Sequence, residues 1–113
     1  MDAYKINDYE RDTIVPLVCR MLKLSSLPLP SKVIAESIRN EGCKVNTRQV
    51  RLVINFIRRE GIIPCVASSP KGFFVAANVL EMNECINTLS ALADSIQEVI
   101  EALKQQRYIK FNY

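Results

Sequence analysis

Along Asn46–Gly61 the apolar residues Val50, Val53, Ile54 and Ile57 fall at i, i+3, i+4 and i+7, the spacing of one face of a helix. Asn46 supplies an N-cap, and Gln49 three residues on reaches back to its amide in a capping-box pattern. Gly61 marks the stop. At about 100° per residue, Arg48, Leu52, Asn55 and Arg59 lie opposite the apolar stripe, with Arg51 beside them. The pattern predicts a helix buried on one side and basic on the other, with no acid before Glu60.

The same periodicity organises the rest of the chain. Asp8 to Leu24 predicts a first helix with Tyr9, Ile14, Leu17, Val18, Met21 and Leu22 inward. Pro16 falls inside it, so either the helix bends there, the favoured form, or its regular part starts near Thr13 with Pro16 in the first turn. Ser25–Pro30 holds two prolines and reads as a linker. Ser31 to Asn40 predicts a second, short helix with Val33, Ile34, Ala35 and Ile38 inward, ended at Glu41-Gly42. Only a few residues then separate it from the Asn46 helix, which is the spacing of a helix-turn-helix. Next comes Ile62–Val66, rich in β-branched residues, then a Pro/Gly turn at Ala67–Gly72, then Phe73–Ala76. This predicts a β-hairpin, with Pro64 confined to an edge or a strand end. Phe73 and Phe74 are expected in the core rather than as base-stacking groups.

Asn78-Val-Leu-Glu81 is a second capping box, and a helix is expected from there to about Gln106. Met82, Ile86, Leu89, Ala93, Ile96, Ile100 and Leu103 form an unbroken a/d heptad seam along it. Cys85, Leu92 and Val99 repeat beside the seam and widen it. The tail Arg107–Tyr113 is aromatic and basic, and either frays or packs on a partner. The seam is longer than the first helix can cover, so it predicts a homodimer.

Composition narrows the classes. At 113 residues and 49% hydrophobic, the chain is long and apolar enough for one domain with a core. No apolar run approaches a membrane span, and Met1–Asp8 lacks the basic-then-apolar pattern of a signal peptide. A cytoplasmic protein is expected. Cys19, Cys43, Cys65 and Cys85 never form a CxxC pair, and there is no histidine, so neither a metal site nor a disulfide framework is expected. Cys19 and Cys85 fall in helical patterns, as small buried hydrophobes do. With no histidine, nucleophile motif or glycine-rich phosphate loop, no catalytic residue, cofactor or enzyme activity is expected.

Net charge is +3, but its layout says more. Residues 1–30 balance at four bases against four acids, and residues 31–72 carry eight against three. Residues 73–113 carry three bases against five acids. A basic middle between neutral and acidic ends is the layout of a localised anion-binding surface.

The segment Val45–Gly61, joined to a hairpin ending Ser69-Pro-Lys-Gly-Phe-Phe74, resembles the winged helix-turn-helix domain, including its small phage and prophage representatives. The resemblance covers roughly Asp8 to Ala77. The long helix after the hairpin is similar in layout to regulators of the PadR type, although the characteristic PadR wing sequence is absent. The expected fold is therefore mainly α with a small β-hairpin. A winged helix-turn-helix domain occupies residues 1–77, and a long C-terminal dimerisation helix and tail occupy 78–113.

The resemblance implies that Arg48, Gln49, Arg51, Leu52 and Asn55 face bases. It implies that Thr47, Arg58, Arg59 and Lys71 meet phosphates, with Ser68 and Ser69 adding weak hydrogen bonds. Arginine and Asn/Gln are the side chains that pair bidentately with guanine and adenine edges. The expected function is sequence-specific binding of double-stranded DNA by a dimeric transcriptional regulator, on a near-palindrome with half-sites about one helical turn apart. The alternatives are a phage or plasmid replication accessory factor and a winged-helix scaffold that binds protein.

Overall fold

Eight isoleucines and valines between Ile14 and Ile57 are withdrawn from water altogether, and around them the first three helices close. The computed structural model describes residues 5–113. Residues 1–4, where the stretch read for a signal peptide and the expected 1–77 domain both begin, lie outside the described residues.

The chain enters its first helix at Asp8 and stays helical to Leu24. Asn7 caps it reciprocally: Glu10 N–H donates to Asn7 Oδ1 at 2.8 Å, and Asn7 N–H donates to Glu10 Oε1 at 2.9 Å. A π turn, Glu10–Ile14, precedes α1, Val15–Leu24, so the regular helix starts two residues past Thr13. Val15 N–H reaches back five residues to the Glu10 carbonyl. Pro16 then falls in the first turn of α1, where a missing N–H costs least.

Helix α2 spans Ser31–Asn40 and α3 spans Thr47–Glu60. The apolar stripe of α3 is wholly buried, as its spacing predicts: Val50, Val53, Ile54 and Ile57 are 0% exposed. In α2, Ile34, Ala35 and Ile38 point inward, whereas Val33 is 44% exposed, contrary to expectation.

The first strand of the hairpin lies further along than the sequence pattern suggests, while the second falls within one residue of its expected place. Strand β1 is Val66–Ser69, strand β2 is Gly72–Val75, and only Pro70 and Lys71 connect them. The stretch Ile62–Cys65 is not strand. Gly61 ends α3 in the left-handed region at φ 66°, and Ile62 N–H still bonds the Ile57 carbonyl. Pro64 has no N–H to donate, and Cys65 sits at φ 63°. A ladder starts only past these residues.

The linker is more than a linker. Leu29 pairs with Phe73 through two backbone hydrogen bonds, of 2.8 and 2.9 Å, and so adds a bridge to the outer side of β2. Gly72 permits this: at φ 131°, a Cβ there would lie 2.4 Å from the Leu29 carbonyl carbon.

Helix α4 runs Val79–Phe111, 33 residues, and is longer than expected because nothing breaks it before Asn112 takes the left-handed cap. The tail up to Phe111 is therefore helix. Asn78 Oδ1 accepts from Glu81 N–H, while Glu81 Oε1 accepts from Ala77 N–H, one residue earlier than a capping box would have it. Among the described residues, Cys85 alone is buried along α4, where it meets β1. No helix among the described residues is long and apolar enough to cross a membrane. The architecture is mainly helical, with one antiparallel hairpin and a long C-terminal helix.

Candidate nucleic-acid interface

The outward face of α3 is held in place from several sides. Asn46 Oδ1 accepts from Gln49 N–H at 2.8 Å, and Asn46 N–H donates to Gln49 Oε1 at 3.0 Å. The turn before α3 is clamped twice: Tyr9 donates its hydroxyl to the Lys44 carbonyl at 2.7 Å, and Arg39 Nη1 donates to the Val45 carbonyl at 3.0 Å. Gly42, at φ 92°, makes the reversal between α2 and α3. These contacts satisfy the backbone groups that a short interhelical turn leaves open, and they fix where α3 begins.

On that face Arg48 and Arg51 are exposed, while Thr47, Gln49, Leu52 and Asn55 are half-buried. Arg48 makes no hydrogen bond or ion pair among the described residues, and neither does the Asn55 amide. Arg51 is partly engaged, since its Nε donates to Ser31 Oγ at 3.3 Å across to the start of α2. Gln49 spends its Oε1 on the cap, which leaves its NH₂ as the polar group to offer. Arg59 is exposed near the end of α3, and Lys71 is exposed at the hairpin tip. Lys71 N–H donates to Ser69 Oγ at 3.1 Å, so the Ser69 hydroxyl shapes the turn.

A chain with this surface was compared with known protein families, characterised proteins and solved structures. None of them matches it.

Two expected phosphate contacts are placed elsewhere. Arg58 turns inward from α3: its Nε donates to the Val66 carbonyl at 2.9 Å, its guanidinium lies 5.3 Å from the Phe73 ring centroid, and its Nη2 lies 3.9 Å from Cys85 Sγ. Burial pulls its pKa below the ordinary arginine value, and the Cys85 sulfur opposes that shift. A guanidinium spent on a carbonyl, a ring and a sulfur fastens α3 to β1, β2 and α4. Ser68 also faces α4, with its N–H 3.4 Å from Cys85 Sγ and its hydroxyl 3.6 Å away. Cys85 is thus a small buried residue, as its helical pattern predicts, and also an acceptor. Cys19 is buried too, and burial raises its thiol pKa. The four cysteines are free, and no cluster suited to a metal ion exists among the described residues.

Sequence reasoning missed Ser31, which anchors Arg51, and the Leu29–Phe73 bridge. The first had a signal, since a serine right after Pro30 opens a helix. The second had none, because it pairs residues 44 positions apart.

The seam residues stand on one side of α4. Met82 is half-buried near the head (residues 5–77); Ile86, Leu89, Ala93, Ile96, Ile100 and Leu103 are exposed.

Proposed function

We propose that this chain is a winged helix-turn-helix protein that binds double-stranded DNA sequence-specifically as a dimeric transcriptional regulator. In this reading α3 enters the major groove, the β1–β2 hairpin is the wing, and α4 joins two copies. The observation that carries it is the outward face of α3. A helix capped at both ends and clamped at its entry turn offers Arg48, Arg51 and the unpartnered Asn55 amide together, with no acid on that face. Side chains of these types satisfy base edges, and the rigid mounting lowers the entropy lost on docking. Arg59 and the wing-tip Lys71 supply phosphate contacts, as do the backbone and hydroxyl groups at the start of α3 near Thr47.

The test is selection of a preferred duplex from random DNA, followed by titration of variants against it. Arg48→Ala and Asn55→Ala each cost about 1–3 kcal/mol and relax preference at one position of the site. Lys71→Ala weakens every duplex alike and lowers the log–log salt slope by roughly 0.9. Uniform loss from all three variants removes base reading from α3. Affinity that does not change between low and moderate salt removes the DNA reading altogether.

A further inference from the structure

The dimer in the proposed function leaves open how the two long helices run, and the side chains of α4 decide it. With Met82, Leu89, Ile96 and Leu103 at d and Ile86, Ala93 and Ile100 at a, the two flanks of the seam differ. The g flank is apolar, with Leu92 and Val99 56% and 58% exposed. The e flank is polar: Asn83, Ser90, Gln97 and Lys104. In a parallel pair, two-fold symmetry sets each g flank against the partner's e flank, so Leu92 meets Gln97 and Val99 meets Lys104. In an antiparallel pair the same flank meets itself, apolar on apolar and polar on polar.

Charge points the same way. Residues 79–90 carry Glu81 and Glu84 with no base, and residues 102–111 carry Lys104, Arg107 and Lys110 with no acid. Arg107 and Lys110 continue the a and d series, so a parallel pair stacks each against its own copy, and like charges so placed repel. The antiparallel pair sets this basic end beside the partner's acidic one. Turning the helix end for end also places a against d, with Ile86 opposite Leu103, Leu89 opposite Ile100 and the small Ala93 opposite Ile96. This register overlaps nearly the whole of α4.

The apolar surface at the two ends of α4 supplies a third observation. Tyr108, Ile109 and Phe111 are 65%, 74% and 60% exposed at the free end of the helix, about 36 Å along it from Cys85, which meets Ser68 of the head. An open apolar cleft of about 210 Å³ lies at the other end, between α4 and the head, where Ile63, Pro64 and Cys65 face Met82, Ile86 and Leu89. Parallel pairing keeps the free ends away from both heads; antiparallel pairing brings the free end of each helix to the other chain's cleft. A membrane surface fits less well, because residues 91–101 bear three acids and no base, whereas interfacial helices carry Lys and Arg on their polar face.

We propose that α4 pairs with the α4 of a second copy in antiparallel orientation, each C-terminal end seated against the partner's head. This rests on the dimer reading above, and the experiment separates the two. The full chain, with Cys43 and Cys65 replaced by serine, is spin-labelled at Ser95→Cys or at Gln105→Cys, both exposed polar positions outside the seam. The inter-label distance is then measured at tens of micromolar. Antiparallel pairing gives about 20 Å or less at position 95 and an axial separation of about 32 Å at position 105, at 1.5 Å per residue. Short distances at both positions mean a parallel dimer, which overturns this proposal and keeps the dimer. Absence of coupling at both positions means a monomer, which overturns the proposal and the dimer together. As a second measurement, mixed Asn83→Cys and Lys104→Cys chains cross-link to each other in preference to themselves. Preference for either homodisulfide overturns the antiparallel orientation.

Discussion

In α3, Val50, Val53, Ile54 and Ile57 repeat on helical spacing and are 0% exposed; in α4, Ile86, Leu89, Ile96 and Ile100 repeat on helical spacing and are 39–54% exposed. The residue types and the periodicity are alike. What differs is the partner. The stripe of α3 meets the stripes of α1 and α2 within the chain, whereas α4 leaves the head after Cys85 and extends along a molecule 52 Å in its longest dimension. Periodicity states that a face excludes water. It does not state which surface covers that face, and leaving it uncovered forfeits about 25 cal/mol per Å².

The sharpest way to break this comparison is to damage each stripe in turn. Leu89→Asp with Ile96→Asp lowers self-association by roughly a hundredfold or more, tenfold being about 1.4 kcal/mol, and leaves the unfolding of the head nearly unchanged. Ile54→Ala does the reverse, costing the head about 2–5 kcal/mol as a cavity opens in its core. Sedimentation and urea titration on both variants give the answer. If the double Asp variant unfolds along with the head, the seam of α4 belongs to the head's own core, and the contrast disappears.

A smaller effect is expected where the head's own parts meet. Gly72→Ala requires a side chain at φ 131° with the Leu29 carbonyl carbon only 2.4 Å from the new Cβ. Destabilisation of about 2 kcal/mol or more is expected in urea titration, from backbone strain and displacement of the Leu29 bridge. A midpoint close to that of the parent would mean that the linker gives way freely and that the bridge does not hold the hairpin.

Both stripes could be read from the sequence because each is local: a capping residue, a period and a stop lie within one segment. The Asn46 cap, the buried face of α3 and the heptads of α4 all came through this way. The limits were equally physical. The first strand reads several residues early because β-branched Ile62 and Ile63 look like strand, while the features that stop them (the left-handed Cys65 and a chain still bonded to the end of α3) depend on backbone geometry. The Leu29 bridge is invisible to any window, since its partner is across the head. The inward turn of Arg58 escapes the sequence for a similar reason. On a helical wheel it is one more cation at a helix end, and only the tertiary fold brings Val66, Phe73 and Cys85 to it. For the candidate site, residue types and the outward face of α3 were legible; which cations were already engaged was not.

The smallest expected effect lies at the junction of the two regions. Arg58→Ala removes a charge-assisted hydrogen bond and a ring contact, and lowers stability by about 1–3 kcal/mol. Arg58→Lys restores little of it, because an ammonium cannot reach a carbonyl and lie flat on a ring as a guanidinium does. Hydrogen exchange checks the location: faster exchange in β1 and in the first turns of α4, with the core of α3 unchanged. Protection that stays level at the start of α4 would mean that Cys85 packing alone holds the helix to the head.

In the proposed DNA-binding dimer, that junction bears on rotational phase. DNA turns by about 34° per base pair, at roughly 10.5 base pairs per turn. Two reading heads on one rod are therefore in step with their half-sites only if each holds its angle to the rod to within about that amount. In this chain the angle is set where a single guanidinium touches the end of α3, both strands of the hairpin and α4. On that reading, a stiff joint of this kind would make the spacer between half-sites a coded quantity. Inserting one base pair misaligns the second head by a tenth of a turn, and inserting ten restores it. Loosening Arg58 would then widen the range of spacers tolerated before it weakened binding to the best one.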